Sequence, residues 1–284
     1  MEIKTIGVVG AGTMGTGITQ VAAQAGMYRV ILNDIDDRFI DRGMGTLNKS
    51  LDLLVQKEKI DDAGKKAVLD RISTTTALED LAGADLIIEA ASENEDIKSD
   101  IFRKLDEACG EETILASNTS SYPITRLAAA TNRPDRVIGM HFFNPAPVMK
   151  LVEVIRGLST SDKTAELVKS VGQSLGKTIV EVNDSPGFVV NRVLVPMINE
   201  AVFLLQESVS TAAEIDDALK LGANHPMGPL ALGDLIGLDI CLHIMETLQD
   251  SLGDPKYRPC PLLRKYVEAG LLGRKTGRGF FSYE

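Results

Sequence analysis

Of the three histidines in this 284-residue chain, His141 stands in the context that invites chemistry. Glu153 follows twelve residues later, inside the apolar run 149–155. If that run is a strand, Glu153 shares a face with Met149, Leu151 and Ile155. A carboxylate among such neighbours is costly unless it finds a partner. Twelve fully extended residues would separate the two side chains by roughly 40 Å. Pro145 and Pro147 interrupt regular structure and favour a change of direction that brings Glu153 back beside His141. A carboxylate on one imidazole nitrogen fixes the tautomer, favours the charged ring and leaves the other nitrogen to take a proton. An arbitrary His–Glu pair is more often an ordinary buried hydrogen bond, so the rest of the chain has to decide.

Upstream lies a dinucleotide signature. A buried strand over 3–9 runs into Gly10-Ala11-Gly12-Thr13-Met14-Gly15, and an apolar helix pattern follows until Gly26. A second strand over 28–32 ends in Asn33-Asp34, with Asp34 nineteen residues after Gly15. Strand, glycine turn, helix and acid in this order are far more specific than the glycines alone. Gly10 permits the tight turn, Gly12 lets the backbone approach a pyrophosphate, and Gly15 lets the helix pack close to the sheet. Asp34 is placed to accept hydrogen bonds from the adenosine ribose and to repel a 2′-phosphate. NAD (NADH) is therefore expected over NADP, with Arg38 nearby leaving NADP possible.

The remaining elements must carry polar residues to the same edge. A third strand over 85–89 opens into a loop with Glu93, and a helix with Ile97, Ile101, Phe102 and Leu105 follows. A fourth strand over 113–116 ends in Ser117-Asn118-Thr119-Ser120-Ser121, and a fifth over 137–140 delivers His141. In an open parallel sheet, ligands bind beyond the carboxyl ends of the strands, which puts Asn118 and Ser120 beside cofactor and substrate. Strands over 151–155 and 178–182 flank a helix over 163–175. Between strands two and three, residues 38–60 carry an apolar stripe at Ile40, Met44, Leu47, Leu51 and Leu54, which predicts an inserted helical hairpin. Ser50 and Lys57 share one of its faces about 10 Å apart. They sit among Lys49, Lys59, Lys65 and Lys66, a candidate anion seat or simply a solvated lysine face.

After 183 the pattern becomes helical, over 187–205, 212–221, 235–250 and 262–269. Pro196 is expected to kink the first of these, whose opening turns hold Asn191. That helix is almost wholly apolar and predicts a second buried surface, such as its own copy in a dimer. His225 and His243 read as structural, and the tail 270–284 as ordered. The expected architecture is an α/β Rossmann-type domain over 1–183 with a helical hairpin insertion, then an all-α domain over 184–284.

A formal charge of −10 disfavours nucleic acid or an anionic membrane as partner. No apolar run reaches membrane-spanning length. A strand pattern beginning by Ile3 leaves no room for a leader peptide. Three scattered cysteines fit a reducing cytoplasm better than a disulfide framework, and no metal-ligand spacing is present.

With these residues in hand, the chain resembles the 3-hydroxyacyl-CoA dehydrogenase family over essentially its whole length. The carrying segments are Ile6 to Gly15, Ala116 to Ser121, His141-Phe142-Phe143-Asn144-Pro145, Val148 to Glu153 and Ser185 to Arg192. Pro226-Met227-Gly228-Pro229 and Lys275 to Phe280 add to them. The resemblance is strongest to short-chain bacterial members. It implies reversible oxidation of (S)-3-hydroxybutyryl-CoA to acetoacetyl-CoA, in butyrate or butanol formation or in fatty acid metabolism. It implies His141 and Glu153 as the acid/base pair, with Ser120 and Asn191 holding the substrate oxygen. Asn144 falls at the nicotinamide and substrate end, Glu93 and Lys98 near the cofactor, and Ser50 and Lys57 at the CoA portion. It also implies a homodimer built through the helical domain. The segment between the inserted helix and the third strand looks shorter than in mitochondrial members, which bears on acyl-chain preference. Two rivals are a dehydrogenase of the same fold acting on a non-CoA hydroxy acid, such as a sugar acid, and a non-enzymatic NADH-binding protein.

Overall fold

A computed structural model describes residues 2–283. The chain divides into two compact units, Met1–Asp184 and Ser185–Glu284.

Among the described residues of the first unit, eight strands form one sheet. They are β1 (Thr5–Val9), β2 (Arg29–Asn33), β3 (Ile72–Thr75), β4 (Leu86–Glu89), β5 (Ile114–Ser117), β6 (Val137–Phe142), β7 (Leu151–Arg156) and β8 (Thr178–Asn183). Their spatial order is β3-β2-β1-β4-β5-β6-β7-β8. Every neighbouring pair is parallel except β6 and β7, which run antiparallel. The helices are α1 (Thr13–Gln24), α2 (Asp37–Gln56), α3 (Asp62–Leu69), α4 (Glu95–Ala108), α5 (Ile124–Ala128) and α6 (Asp162–Ser174). The central strands β4, β5 and β6 are buried along their whole length. That is the expected state of parallel strands covered on both faces, and it explains why they read as unbroken apolar runs.

The predicted stripe on α2 is real. Ile40, Leu47 and Leu51 are buried in the core with Ile6, Val8 and Ile18, and Met44 and Leu54 pack at its margin. Full burial of one such leucine contributes about 1.5–3 kcal/mol. Three expectations need correction. The segment between β2 and β4 is not only a helical hairpin, because β3 closes it as the edge strand. Its sequence, Ile-Ser-Thr-Thr, has the half-exposed pattern of an edge and no apolar alternation to signal it. On α4 the buried face is Lys98, Phe102 and Leu105, while Ile97 is exposed. Finally, His141 lies within β6 rather than just after it.

The second unit holds α7 (Val190–Gln206), α8 (Ala212–Gly222), α9 (Pro229–Ile236), α10 (Leu238–Leu252) and α11 (Pro261–Glu268). Helix α7 begins at Val190, not Gly187, because Gly187 and Phe188 take φ values of 72° and 50°. A right-handed helix cannot include that left-handed pair. Pro196 lies inside α7. Pro229 opens α9 as its first residue. The carboxylate of Asp216 accepts from Leu230 N (2.8 Å) and Ala231 N (2.9 Å), which caps that helix start. The tail is ordered: buried Asp234 accepts from Phe280 N at 3.0 Å, Phe281 N at 2.9 Å and the Tyr283 hydroxyl at 2.9 Å. No helix of the described residues is long and apolar enough to cross a membrane.

Candidate active site

Strands β6 and β7 form a hairpin in which His141 and Glu153 are direct cross-strand partners. Opposed residues of an antiparallel pair point to the same face, so the two side chains meet by construction. The connecting loop reverses the chain through a cis Asn144–Pro145 bond. Lys177, pinned at the entrance to β8, donates to Ala146 O (2.6 Å) and Met149 O (2.8 Å) of that loop. Burial pushes its ammonium below the usual lysine range. Sequence reasoning overlooked Lys177, for which no periodicity offered a signal.

His141 Nδ1 is 2.8 Å from Glu153 Oε2, with Glu153 wholly buried and His141 4 % exposed. A carboxylate only accepts, so the neutral tautomer that fits this contact carries its proton on Nδ1 and its lone pair on Nε2. That nitrogen is 3.1 Å from Ser120 Oγ. In that tautomer Nε2 accepts from the serine hydroxyl, and Ser120, His141 and Glu153 form one connected line. The Phe143 ring leans on the imidazole, its centroid 4.6 Å away.

Ser120 comes from the loop after β5. Asn118, in the same loop, accepts from Phe142 N through its side-chain oxygen at 2.9 Å, tying that loop to β6. Glu93 Oε1 accepts from Thr119 Oγ1 (2.6 Å), Ser120 N (3.0 Å), Ser121 N (3.2 Å) and Ser121 Oγ (2.8 Å). Burial opposes ionisation of Glu93, but Lys98 and the Thr119 and Ser121 hydroxyls outweigh it and hold the carboxyl below its usual range. Asn144 is exposed at the mouth of the β6–β7 loop. Glu89 and Ser117 were given no role in the sequence reading. Each ends a buried strand with a polar side chain, which was the available signal.

The glycine turn lies at the same carboxyl edge. Gly10 takes φ 102°, and a Cβ on Gly15 would stand 1.7 Å from Gly10 O. By contrast, a Cβ on Gly12 would meet nothing within 4 Å, so its surface lies open. No side chain caps the start of α1, where Thr13 and Met14 present their N–H groups. Unclaimed donors at a helix N-terminus beside an open glycine suit a pyrophosphate. The turn lies between β1 and β4, where the strand order reverses, the usual place for a dinucleotide. Asp34 accepts from Ala11 N at 2.6 Å and Ile35 N at 2.7 Å, which fixes it against the turn. Arg38, which the sequence left as an opening for NADP, pairs with Asp36 through contacts of 2.9 and 2.8 Å. The residues fit NAD.

Ser50 is half-buried on α2, and Lys57 is exposed one residue past its end. Lys65 and Lys66 are committed to Asp52 (2.5 Å) and Asp70 (2.6 Å). Asn191 lies in the first turn of α7, in the second unit. Among the described residues no cluster could hold a metal ion.

Known proteins match along the full length. The profile for the 3-hydroxyacyl-CoA dehydrogenase NAD binding domain covers residues 5–185, and that for the family's C-terminal domain covers 187–283. A probable 3-hydroxybutyryl-CoA dehydrogenase of Bacillus subtilis is 58 % identical, over 100 % of this chain and 99 % of its own. A 3-hydroxybutyryl-CoA dehydrogenase of Bradyrhizobium diazoefficiens is 54 % identical over 99 % of this chain and 96 % of its own. The crystal structure of (S)-3-hydroxybutyryl-CoA dehydrogenase from Ralstonia eutropha superposes with a TM-score of 0.97 at 54 % identity, covering all of both chains. The strand order, the glycine turn and these full-length matches agree: this chain belongs to the 3-hydroxyacyl-CoA dehydrogenase family, with the family's NAD-binding domain followed by its C-terminal domain.

Proposed function

We propose that this enzyme interconverts (S)-3-hydroxybutyryl-CoA and acetoacetyl-CoA. The observation that carries the reading is the line Ser120 Oγ, His141 Nε2, His141 Nδ1, Glu153 at the sheet edge that also presents the glycine turn. NAD, when bound, supplies the hydride acceptor in the oxidative direction. His141 Nε2 takes the proton of the 3-hydroxyl as C3 is oxidised. Ser120 turns its hydroxyl from Nε2 to the substrate oxygen and stabilises the charge that develops there. Glu153 steadies the imidazolium through Nδ1, and in the reductive direction the same ring returns its proton to the oxygen. Asn191 keeps the substrate-binding role that the family resemblance implies, Asn144 its place at the nicotinamide end, and Ser50 and Lys57 theirs at the CoA portion.

A cytoplasmic location is supported by Cys109, Cys241 and Cys260, all buried and unpaired. A homodimer through the helical unit is supported by apolar side chains that this unit leaves exposed, such as Val193.

The test follows absorbance at 340 nm with acetoacetyl-CoA and NADH, then NADPH, with acetoacetate as control. Oxidation of NADH that needs the CoA ester is the expected result, with NADPH much the weaker donor because of Asp34. Turnover of free hydroxy acids, with no gain from CoA, would transfer the site to the sugar-acid reading.

A further inference from the structure

Beneath the Ser120 loop lies an ion chain that the reaction itself does not use. Glu89, at the end of β4, is wholly buried. Its Oε1 accepts from Ala91 N at 2.7 Å and Lys98 Nζ at 2.8 Å, and its Oε2 from Ser117 Oγ at 2.6 Å. Ser117 Oγ in turn accepts from Thr119 N at 3.1 Å. Lys98, only 1 % exposed, reaches from α4 to bridge Glu89 and Glu93, the latter at 3.1 Å, and approaches Ala91 O at 3.4 Å. An ammonium has three protons, and these three acceptors lie within its reach. Two carboxylates around one buried cation, each also bonded to neighbouring backbone or hydroxyls, make an arrangement in which removing one member strands the others.

We propose that Glu89 and Lys98 are positioning residues that act through Glu93 and Ser117 to fix the 117–121 loop, and with it the aim of Ser120 Oγ at His141. The chain anchors the loop from two sides. Ser117 hangs on Glu89 and Thr119 N on Ser117, while the Thr119 hydroxyl, Ser120 and Ser121 hang on Glu93. Lys98 locks the two carboxylates together. The rate consequence rests on the proposed roles of Ser120 and His141; the ordering of the loop does not.

The test compares Lys98→Met, Glu89→Gln and Ser117→Ala with the unaltered enzyme by kcat, NADH affinity from fluorescence titration, and amide hydrogen exchange over 117–122. Lys98→Met and Glu89→Gln are expected to lower kcat about tenfold or more, since small misplacements of a reacting group are costly. In Glu89→Gln, NADH affinity stays within about threefold, and in both variants the loop amides exchange about tenfold faster. Ser117→Ala removes a single hydroxyl, so it keeps the test alive if the charge variants do not fold; it gives the same division at smaller size. A kcat within twofold of the unaltered enzyme overturns the proposal. So does a Glu89→Gln variant whose NADH binding is weakened tenfold with exchange unchanged. If the unaltered enzyme turns over no acetoacetyl-CoA, the substrate reading fails on its own. Amide exchange then decides the loop's anchoring, and unchanged exchange in the variants rejects it.

Discussion

A general base must offer a lone pair to the substrate and hold its aim when it becomes charged. His141 meets both needs because its cross-strand partner is a buried carboxylate, 2.8 Å from Nδ1. His141→Ala removes the base and leaves the glycine turn untouched. We expect kcat to fall about 10²–10⁴-fold, the usual worth of general acid–base assistance, with NADH affinity from fluorescence titration unchanged. A variant within tenfold of the unaltered rate would remove His141 from the chemistry. Glu153→Gln keeps the size of the side chain but not its charge, so the imidazolium loses its support. The expected loss is nearly as large, and an unchanged rate and pH profile would break the pairing. These two residues were legible in the sequence because an acid inside an apolar run and a lone histidine across two prolines leave few alternatives. Glu89 was not, because it looked like the polar end of an otherwise ordinary strand, and Lys98 was reached only through the family resemblance.

At the scale of elements, what was legible depended on whether burial left a period in the sequence. The central strands and the α2 stripe did so. The edge strand β3 did not, since an edge needs little apolar alternation. On α4 the buried face holds the expected Phe102 and Leu105, but Lys98 rather than Ile97 completes it, a buried lysine in a position that periodicity gives to an apolar residue. The glycine-rich tail could be called ordered but not explained until Asp234 was seen to gather it. That anchor has a pH signature. Burial, with Asp234 accepting its hydrogen, pushes the Tyr283 phenol up to about 12. In the unfolded chain a tyrosine titrates near 10. A raised folded value means that the contribution is fully present below about pH 10 and is lost as pH rises toward about 12. Tyr283→Phe should lower the melting temperature by a constant amount up to about pH 10, and the gap should close above it. A gap that does not change across this range would show that Tyr283 adds no such bond. Asp234→Asn should cost more, because two backbone donors and a hydroxyl lose a charged acceptor worth about 1.5–3 kcal/mol per bond.

For the whole molecule, the open question is what covers the helical unit. Helix α7 buries Val195, Ile198, Ala201 and Val202 in the core of its own unit. On the same helix Val193 is 69 % exposed, and Leu235 on α9 and Ile240 on α10 are 49 % and 44 % exposed. These three helices pack on one another, so the apolar residues belong to one small bundle rather than to scattered loops. Single exposed apolar residues are normal on any surface, but a helix that is apolar on two sides calls for a second partner. A second copy is the simplest one, because a two-fold interface uses the same patch twice. Light scattering after size exclusion should give twice the chain mass at micromolar concentration. Val193→Asp would place two like charges in or beside the contact, and should shift the protein to the mass of one chain while the first unit still binds NADH. An unaltered chain that already runs as a monomer would leave those residues as ordinary surface. A Val193→Asp dimer as tight as the original would move the interface elsewhere in the molecule.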